Sequence, residues 1–290
     1  MKAIGFDLKD GIELKELLSK VESNFTRKSI ISYNRSEDFC EYKKEVGVNI
    51  GIALCGTLDR DEAFDCNFYF PYITGSGITT HAEVMVERKY EREQYVGICE
   101  DPNIGISLIF FLLNGIEYMK EKQIGRNVPR GASVILSGLA LSGKILFPVQ
   151  KNEQQIRSEK EALKHRKNLI YAARSGDQVA METLTLDDMD IYSKVSRRLI
   201  HEDVFSIVDT YFMPYGVECD LYAVLGEILK VQVIENTYSK EKLYLLRLEI
   251  NELQFDICVP VTEVMGEPAI GRRFKGNIWL QGRIQFHSSP

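Results

Sequence analysis

Phe274-Lys275-Gly276-Asn277-Ile278-Trp279-Leu280-Gln281-Gly282-Arg283-Ile284-Gln285-Phe286 is the stretch from which the fold is read. Its period is two. Phe274, Ile278, Leu280, Ile284 and Phe286 fall on one side with Gly276 and Gly282, and Lys275, Asn277, Trp279, Gln281, Arg283 and Gln285 fall on the other. Strand side chains alternate between faces, so the pattern predicts a long strand with one buried face. The segments before it read the same way. Leu229, Val231 and Val233 alternate with Lys230 and Gln232, Tyr244, Leu246, Leu248 and Ile250 share a face, and Phe255, Ile257 and Val259 form the next alternation. Four or five strands within about 70 residues predict a small closed β-barrel over residues 216–290. It is most like an oligonucleotide/oligosaccharide-binding (OB) fold, with an SH3-like barrel as the alternative.

Upstream the character changes. Residues 151–215 are rich in charge and carry helix signals: Asn152 with Gln155 has capping-box spacing, and Ser175-Gly176 is a stop. Asp177 is expected to cap a short second helix. Thr185-Leu186-Asp187-Asp188 opens a third, with Leu186, Met189, Tyr192, Val195 and Leu199 as its buried stripe. Residues 1–150 alternate between the two periods. Ile12, Leu14, Leu17, Leu18 and Val21 have helical spacing, whereas Val48–Leu54, Ala63–Ile73, Ala82–Arg88 and Gln94–Cys99 are strand-like. Pro71 is expected to end the aromatic strand, residues 104–113 fit a buried strand or a buried helix, and Ser142-Gly143 reads as the turn of a hairpin. The fold class is therefore α+β. A mixed α+β N-terminal domain (1–150) is followed by a helical connector (151–215) and a small OB-like barrel (216–290).

The 290 residues carry 36 Lys+Arg and 42 Asp+Glu, a net charge of −6. The three segments have charges of −3, −1 and −2, so no basic module hides behind the total. Phosphate binding rests on Lys and Arg neutralising the backbone, which disfavours general duplex nucleic-acid binding. No run approaches the roughly 20 apolar residues of a membrane span, and the first residues lack the apolar core of a signal peptide, so the expected compartment is the cytoplasm with no membrane contact. The six cysteines form no C-x-x-C pair and are expected to be reduced and mostly buried.

Local motifs fail where chemistry needs them. Gly138 to Ile145 nearly matches a phosphate-binding loop, but Ile145 stands where the Mg²⁺-holding hydroxyl belongs and a strand follows instead of a helix. Gly75-Ser76-Gly77 lacks the third glycine of a dinucleotide fingerprint, with Thr80 in its place. Asp59, Asp61 and Asp65 do not make a calcium loop, because Phe64 and Phe70 occupy the positions of its glycine and bidentate glutamate. No cofactor and no metal site is expected. Of the four histidines, His165 lies in the charged helix and His287 in the tail. His81 and the trio His201-Glu202-Asp203 are the candidates for acid–base work, although neighbouring residues on a helix point apart.

The single tryptophan, Trp279, lies among polar and cationic side chains. With Arg272, Arg273, Lys275 and Arg283 it forms the candidate ligand surface, because an aromatic platform flanked by cations is how OB barrels hold bases or sugars. The competing reading turns Trp279 inward at a bulge or docks this face on the first domain. Two stretches, Glu202 to Asp220 (with Asp209-Thr210-Tyr211-Phe212-Met213-Pro214-Tyr215) and Gly271 to Arg283, resemble a family of uncharacterised proteins from anaerobic Firmicutes that is known as a domain of unknown function. Ala3-Ile4-Gly5-Phe6 and Ser107-Leu108-Ile109-Phe110 share the resemblance. It implies a cytosolic bacterial protein and carries no activity, cofactor or catalytic residue with it.

The expected function is a non-enzymatic binding or adaptor protein, with a protein, an oligosaccharide or single-stranded nucleic acid as the partner of the barrel. One alternative is an enzyme with a pocket between the N-terminal domain and the connector. The other is a homo-oligomer joined through Tyr211–Tyr215.

Overall fold

The computed structural model describes residues 1–286 except 33–36, 90–92, 102–103 and 130, with the side chains of 156, 159 and 160 also left out. His287 therefore lies outside the described residues. A 3₁₀ turn (Lys2–Ile4) and α1 (Gly11–Ser23) lead into β1 (Arg27–Ser32), β2 (Asp38–Gly47), β3 (Ile50–Leu58) and β4 (Phe64–Ile73). Next come β5 (Thr80–Ala82), β6 (Val84–Lys89), β7 (Gln94–Glu100), β8 (Ser107–Leu112), α2 (Gly115–Gln123) and β9 (Ala132–Leu146). The helical part holds α3 (Glu153–Arg174), α4 (Gln178–Arg198) and α5 (Val204–Ile207). The chain ends in β10 (Tyr211–Pro214), β11 (Leu221–Glu235), β12 (Lys242–Ile250), β13 (Leu253–Pro260), β14 (Val264–Met265) and β15 (Arg273–Gln285). The molecule is thus mixed α+β. No described helix is long and apolar enough to cross a membrane.

Strands β1 to β4 form an antiparallel meander. The remaining strands form a second sheet whose pairing path closes on itself: β11 pairs β12, β12 pairs β13, β13 pairs β9 in parallel, β9 pairs β15, and β15 pairs β11. One strand of this ring, β9, comes from before residue 150. Beyond the ring, the far end of β15 continues into β8, β7 and β6.

The ring strands have two buried faces. Val224, Ile228, Leu246, Leu248, Phe255, Ile257, Phe274 and Ile278 are at most 1% exposed and belong to one core. The opposite faces of β9, β12 and β13, through Leu139, Leu243, Leu245 and Cys258, pack with Ile4, Ile50, Ile52 and Ile73 of the meander and the N-terminal turn in a second core. The first sheet therefore covers one wall of the ring.

Several expectations change for identifiable reasons. Ser142-Gly143 is not a turn. β9 runs straight through it because Gly143 lies opposite Gly276, and a Cβ on Gly143 would stand 2.2 Å from the Phe274 ring. The missing side chain makes room for an aromatic ring. Pro71 does not end β4, which continues to Ile73 at the edge of its sheet, where a missing N–H breaks no ladder. Residues 107–112 are a strand. Helix α4 runs unbroken through Thr185, whose hydroxyl bonds back to the Met181 carbonyl at 2.9 Å instead of capping a new helix. The caps at Asn152 and Asp177 form as their sequences require. Cys40, Cys55, Cys99 and Cys258 are buried and Cys66 and Cys219 exposed, with no disulfide among them.

Candidate functional site

The chain crosses between the strand ring and the helical part twice, leaving after β9 at Phe147–Gln150 and returning through α5 and residues 208–210. Arg273, at the start of β15, is 4% exposed between the two crossings. Its Nε donates to the Phe147 carbonyl at 2.9 Å, Nη1 to Val208 and Asp209 at 2.8 and 3.1 Å, and Nη2 to Phe205 at 2.7 Å. A guanidinium presents a rigid fork of donors and accepts nothing, so it suits a site where four carbonyls converge. Burial lowers its pKa from the ordinary value, an effect the Asp209 carboxylate at 4.0 Å opposes.

A cleft opens on either side of this clamp, and both are lined by Pro148, Val149, Lys151 and Arg273. The first, of about 590 Å³, is bordered by Phe147, Arg198, Glu202 and Phe205. Phe147 is 75% exposed, the Arg272 guanidinium lies 5.4 Å from its ring, and the Lys275 ammonium lies 4.2 Å from the Phe205 ring. Both distances are within cation–π range. Arg198 holds Glu202 through two bonds of 2.9 and 2.6 Å, which lowers the Glu202 pKa below the usual carboxylate value. This cleft and its rim are net cationic.

The second cleft, of about 510 Å³, has the opposite sign: Asp209, Glu227, Glu249 and Glu252 line it. Glu227 and Glu249 are direct cross-strand neighbours on β11 and β12. Like charges in that position repel. Burial, then Glu249 and Asp209, raise the Glu227 pKa, while Lys151 opposes the rise. Lys151 bonds to Asp209 at 2.7 Å, and Gln254 donates to Glu249 at 2.6 Å.

Of the residues singled out from sequence, Arg272, Arg273, Lys275 and Glu202 gather around these clefts. The others do not. Trp279 is half-buried against Phe111, with ring centroids 5.1 Å apart, and its Nε1–H donates to Asp220 at 3.0 Å. Asp220 is 3% exposed and also accepts from Lys89 at 3.3 Å. Gln281, on the same expected polar face, is fully buried: it donates to the Pro71 carbonyl and accepts from the Ile73 N–H. Arg283 bonds to Glu117 at 2.9 Å beside a separate cavity of about 140 Å³. His81 is exposed on β5 near the Ser133 hydroxyl at 3.1 Å. His201 is exposed, and Asp203 caps α5 by accepting from the Phe205 N–H. No group of three or more His, Cys, Asp or Glu that would hold a metal occurs among the described residues.

The Trp279 environment leads to a direct prediction. Trp279→Phe keeps the ring packing but leaves the buried Asp220 carboxylate with Lys89 as its side-chain donor, and losing a hydrogen bond to a charged group costs about 1.5–3 kcal/mol. Urea denaturation of the variant should show a lower midpoint with an unchanged slope, and the tryptophan emission of the wild-type chain should be blue-shifted and shielded from iodide. An unchanged midpoint would remove Asp220 as the anchor of the indole.

Phe147, Lys151, Arg198, Phe205, Asp209, Glu227 and Glu249 escaped the sequence reading. They come from the residue just past β9, the helical part with the segments flanking it, and two ring strands, and no short-range spacing joins them. The model of a family described as "Domain of unknown function, E. rectale Gene description (DUF3881)" matches residues 1–282. No curated protein and no solved structure matches the chain.

Proposed function

Because the chain belongs to this family of unknown function, we propose from its geometry that it is a non-enzymatic adaptor of the cytoplasm that binds a polypeptide segment in the paired clefts around Arg273. The five-strand ring is read as an OB-like barrel that borrows β9 and presents its ligand-facing end to the connector. One observation carries the reading: the groove is bipolar. Arg198, Arg272 and Lys275 lie on one side of the clamp, and Asp209, Glu227 and Glu249 on the other. A nucleic acid strand has one charge sign along its whole length, so the carboxylate cleft would repel it. A peptide carrying both signs satisfies both sides, and the exposed Phe147 offers an apolar contact between them.

The test is fluorescence anisotropy with two labelled probes, a peptide with a glutamate block and a lysine block around an aromatic residue, and a single-stranded oligothymidylate. Salt-sensitive binding of the peptide, weakened about fivefold or more by Phe147→Ala or Lys275→Ala, is expected. Preference for the oligothymidylate, or peptide binding indifferent to both substitutions, would overturn the reading.

A further inference from the structure

Helix α4 packs on α3 through one face. Ala180 is buried and Asp188 meets Arg166 of α3 at 2.7 Å. Its other face is uncovered. Val179, Leu186, Met189 and Tyr192, with Ile200 just past the helix end, are between 63% and 75% exposed. The sequence pattern predicts a buried stripe through Leu186, Met189 and Tyr192, and the isolated chain leaves it open. Scattered exposed apolar residues are ordinary on a protein surface, but a continuous stripe along one helix face marks a contact surface.

The charges on that face indicate what covers it. On a wheel of 100° per residue, the arc from Tyr192 to Val179 spans about 140° and holds only two charged residues, Glu182 near one end of the helix and Arg197 near the other. They stand equally far from a point between Met189 and Asp190, about 11 Å along the axis in each direction. The rest of the helix follows the same polarity: Glu182, Asp187, Asp188 and Asp190 all precede Lys194, Arg197 and Arg198. A helix whose two halves carry opposite charge about a central apolar patch is complementary to itself when turned end for end.

We infer that a second copy of this chain covers the stripe, with the two α4 helices packed antiparallel about a two-fold axis near Met189. Each Glu182 then faces Arg197 of the other copy, and Met189 packs near its own symmetry mate with Leu186 along one edge of the interface and Tyr192 along the other. Two-fold interfaces are self-complementary in this sense. A parallel arrangement would place Glu182 on Glu182 and Arg197 on Arg197, which disfavours it. The two α3–α4 hairpins together make a four-helix arrangement. This surface is separate from the edge at Tyr211–Tyr215, where Phe212 is buried and Met213, Pro214 and Tyr215 are exposed. The inference stands without the peptide-binding reading.

Sedimentation velocity on the full chain across a concentration series tests it. The expected result is a monomer–dimer equilibrium in the micromolar range. Met189→Glu, an exposed substitution, should give a monomer with unchanged circular dichroism. Glu182→Arg should weaken the dimer about tenfold by setting two arginines against each other, and adding Arg197→Glu should restore it. A wild-type chain that is monomeric at about 100 μM would overturn the inference and assign the stripe to a different partner. So would a dimer indifferent to Met189→Glu, or a double charge swap that fails to restore association.

Discussion

Arg273→Met is expected to lower the unfolding free energy by about 3–5 kcal/mol, the range seen when one partner of a buried charged network is removed. Methionine fills much of the same volume, so the loss is electrostatic and not a cavity effect. Four carbonyls, of Phe147, Phe205, Val208 and Asp209, lose their donor together. Each unsatisfied buried acceptor costs about 1–3 kcal/mol, and water entering from the two flanking clefts recovers part of the total. The damage is local in a second sense, because these carbonyls belong to the two crossings between the strand ring and the helical part. Thermolysin, which cleaves before bulky apolar residues, should therefore cut first within 147–151 and 205–210, before the ring strands. Arg273→Lys should fall between wild type and Arg273→Met, because an ammonium offers three donors from a single point and cannot span the same fork. A loss of less than about 1 kcal/mol for Arg273→Met, or proteolysis beginning in the ring strands, would show that the crossings are held by something else.

Arg273 also shows where the sequence was legible. The alternation of Phe274 to Phe286 falls on β15, and the alternations of 227–234, 243–250 and 255–259 fall within β11, β12 and β13, although in β11 a bulge between Ile228 and Lys230 shifts the period, leaving Val233 exposed and Ile234 buried. β2 has no such signature. Its Glu41 is 6% exposed and Lys43 lies 2.9 Å away, so a mutually neutralising pair occupies positions where an apolar residue would have revealed the strand. The stripe of α4 was read as buried because periodicity reports that a face is apolar and not what covers it. The clefts were the least legible feature. Phe147 and Arg273 are joined by a hydrogen bond across 126 residues of sequence, and Glu227 and Glu249 meet only through strand register. The polar face around Trp279 fits either an open surface or one docked on the first domain, and β4 lies along it and gives its polar groups to Gln281.

Gly97→Ala and Gly282→Ala are each expected to destabilise the fold by about 3 kcal/mol or more, at the upper end for overpacking a core. The Phe110 ring on β8 is fully buried between them. A Cβ on Gly97 of β7 would stand 2.2 Å from the ring, and one on Gly282 of β15 would stand 2.4 Å from it. Real carbon atoms do not approach that closely, and the ring has glycine on both sides, so it cannot retreat from one without meeting the other. Phe110→Leu alone costs less, roughly 1–2 kcal/mol, because a buried aliphatic side chain replaces the aromatic one with a small residual void. The informative measurement is the double-mutant cycle. Gly97→Ala combined with Phe110→Leu should be more stable than the sum of the single losses predicts, with a coupling of about 1–3 kcal/mol, because the leucine yields the space the new methyl needs. The same cycle with Gly282 should behave alike, since both glycines serve one ring. Additivity within about 0.5 kcal/mol would mean that the glycines are required by their own strands and not by Phe110, and the packing argument for this junction between the ring and β6 to β8 would then fail.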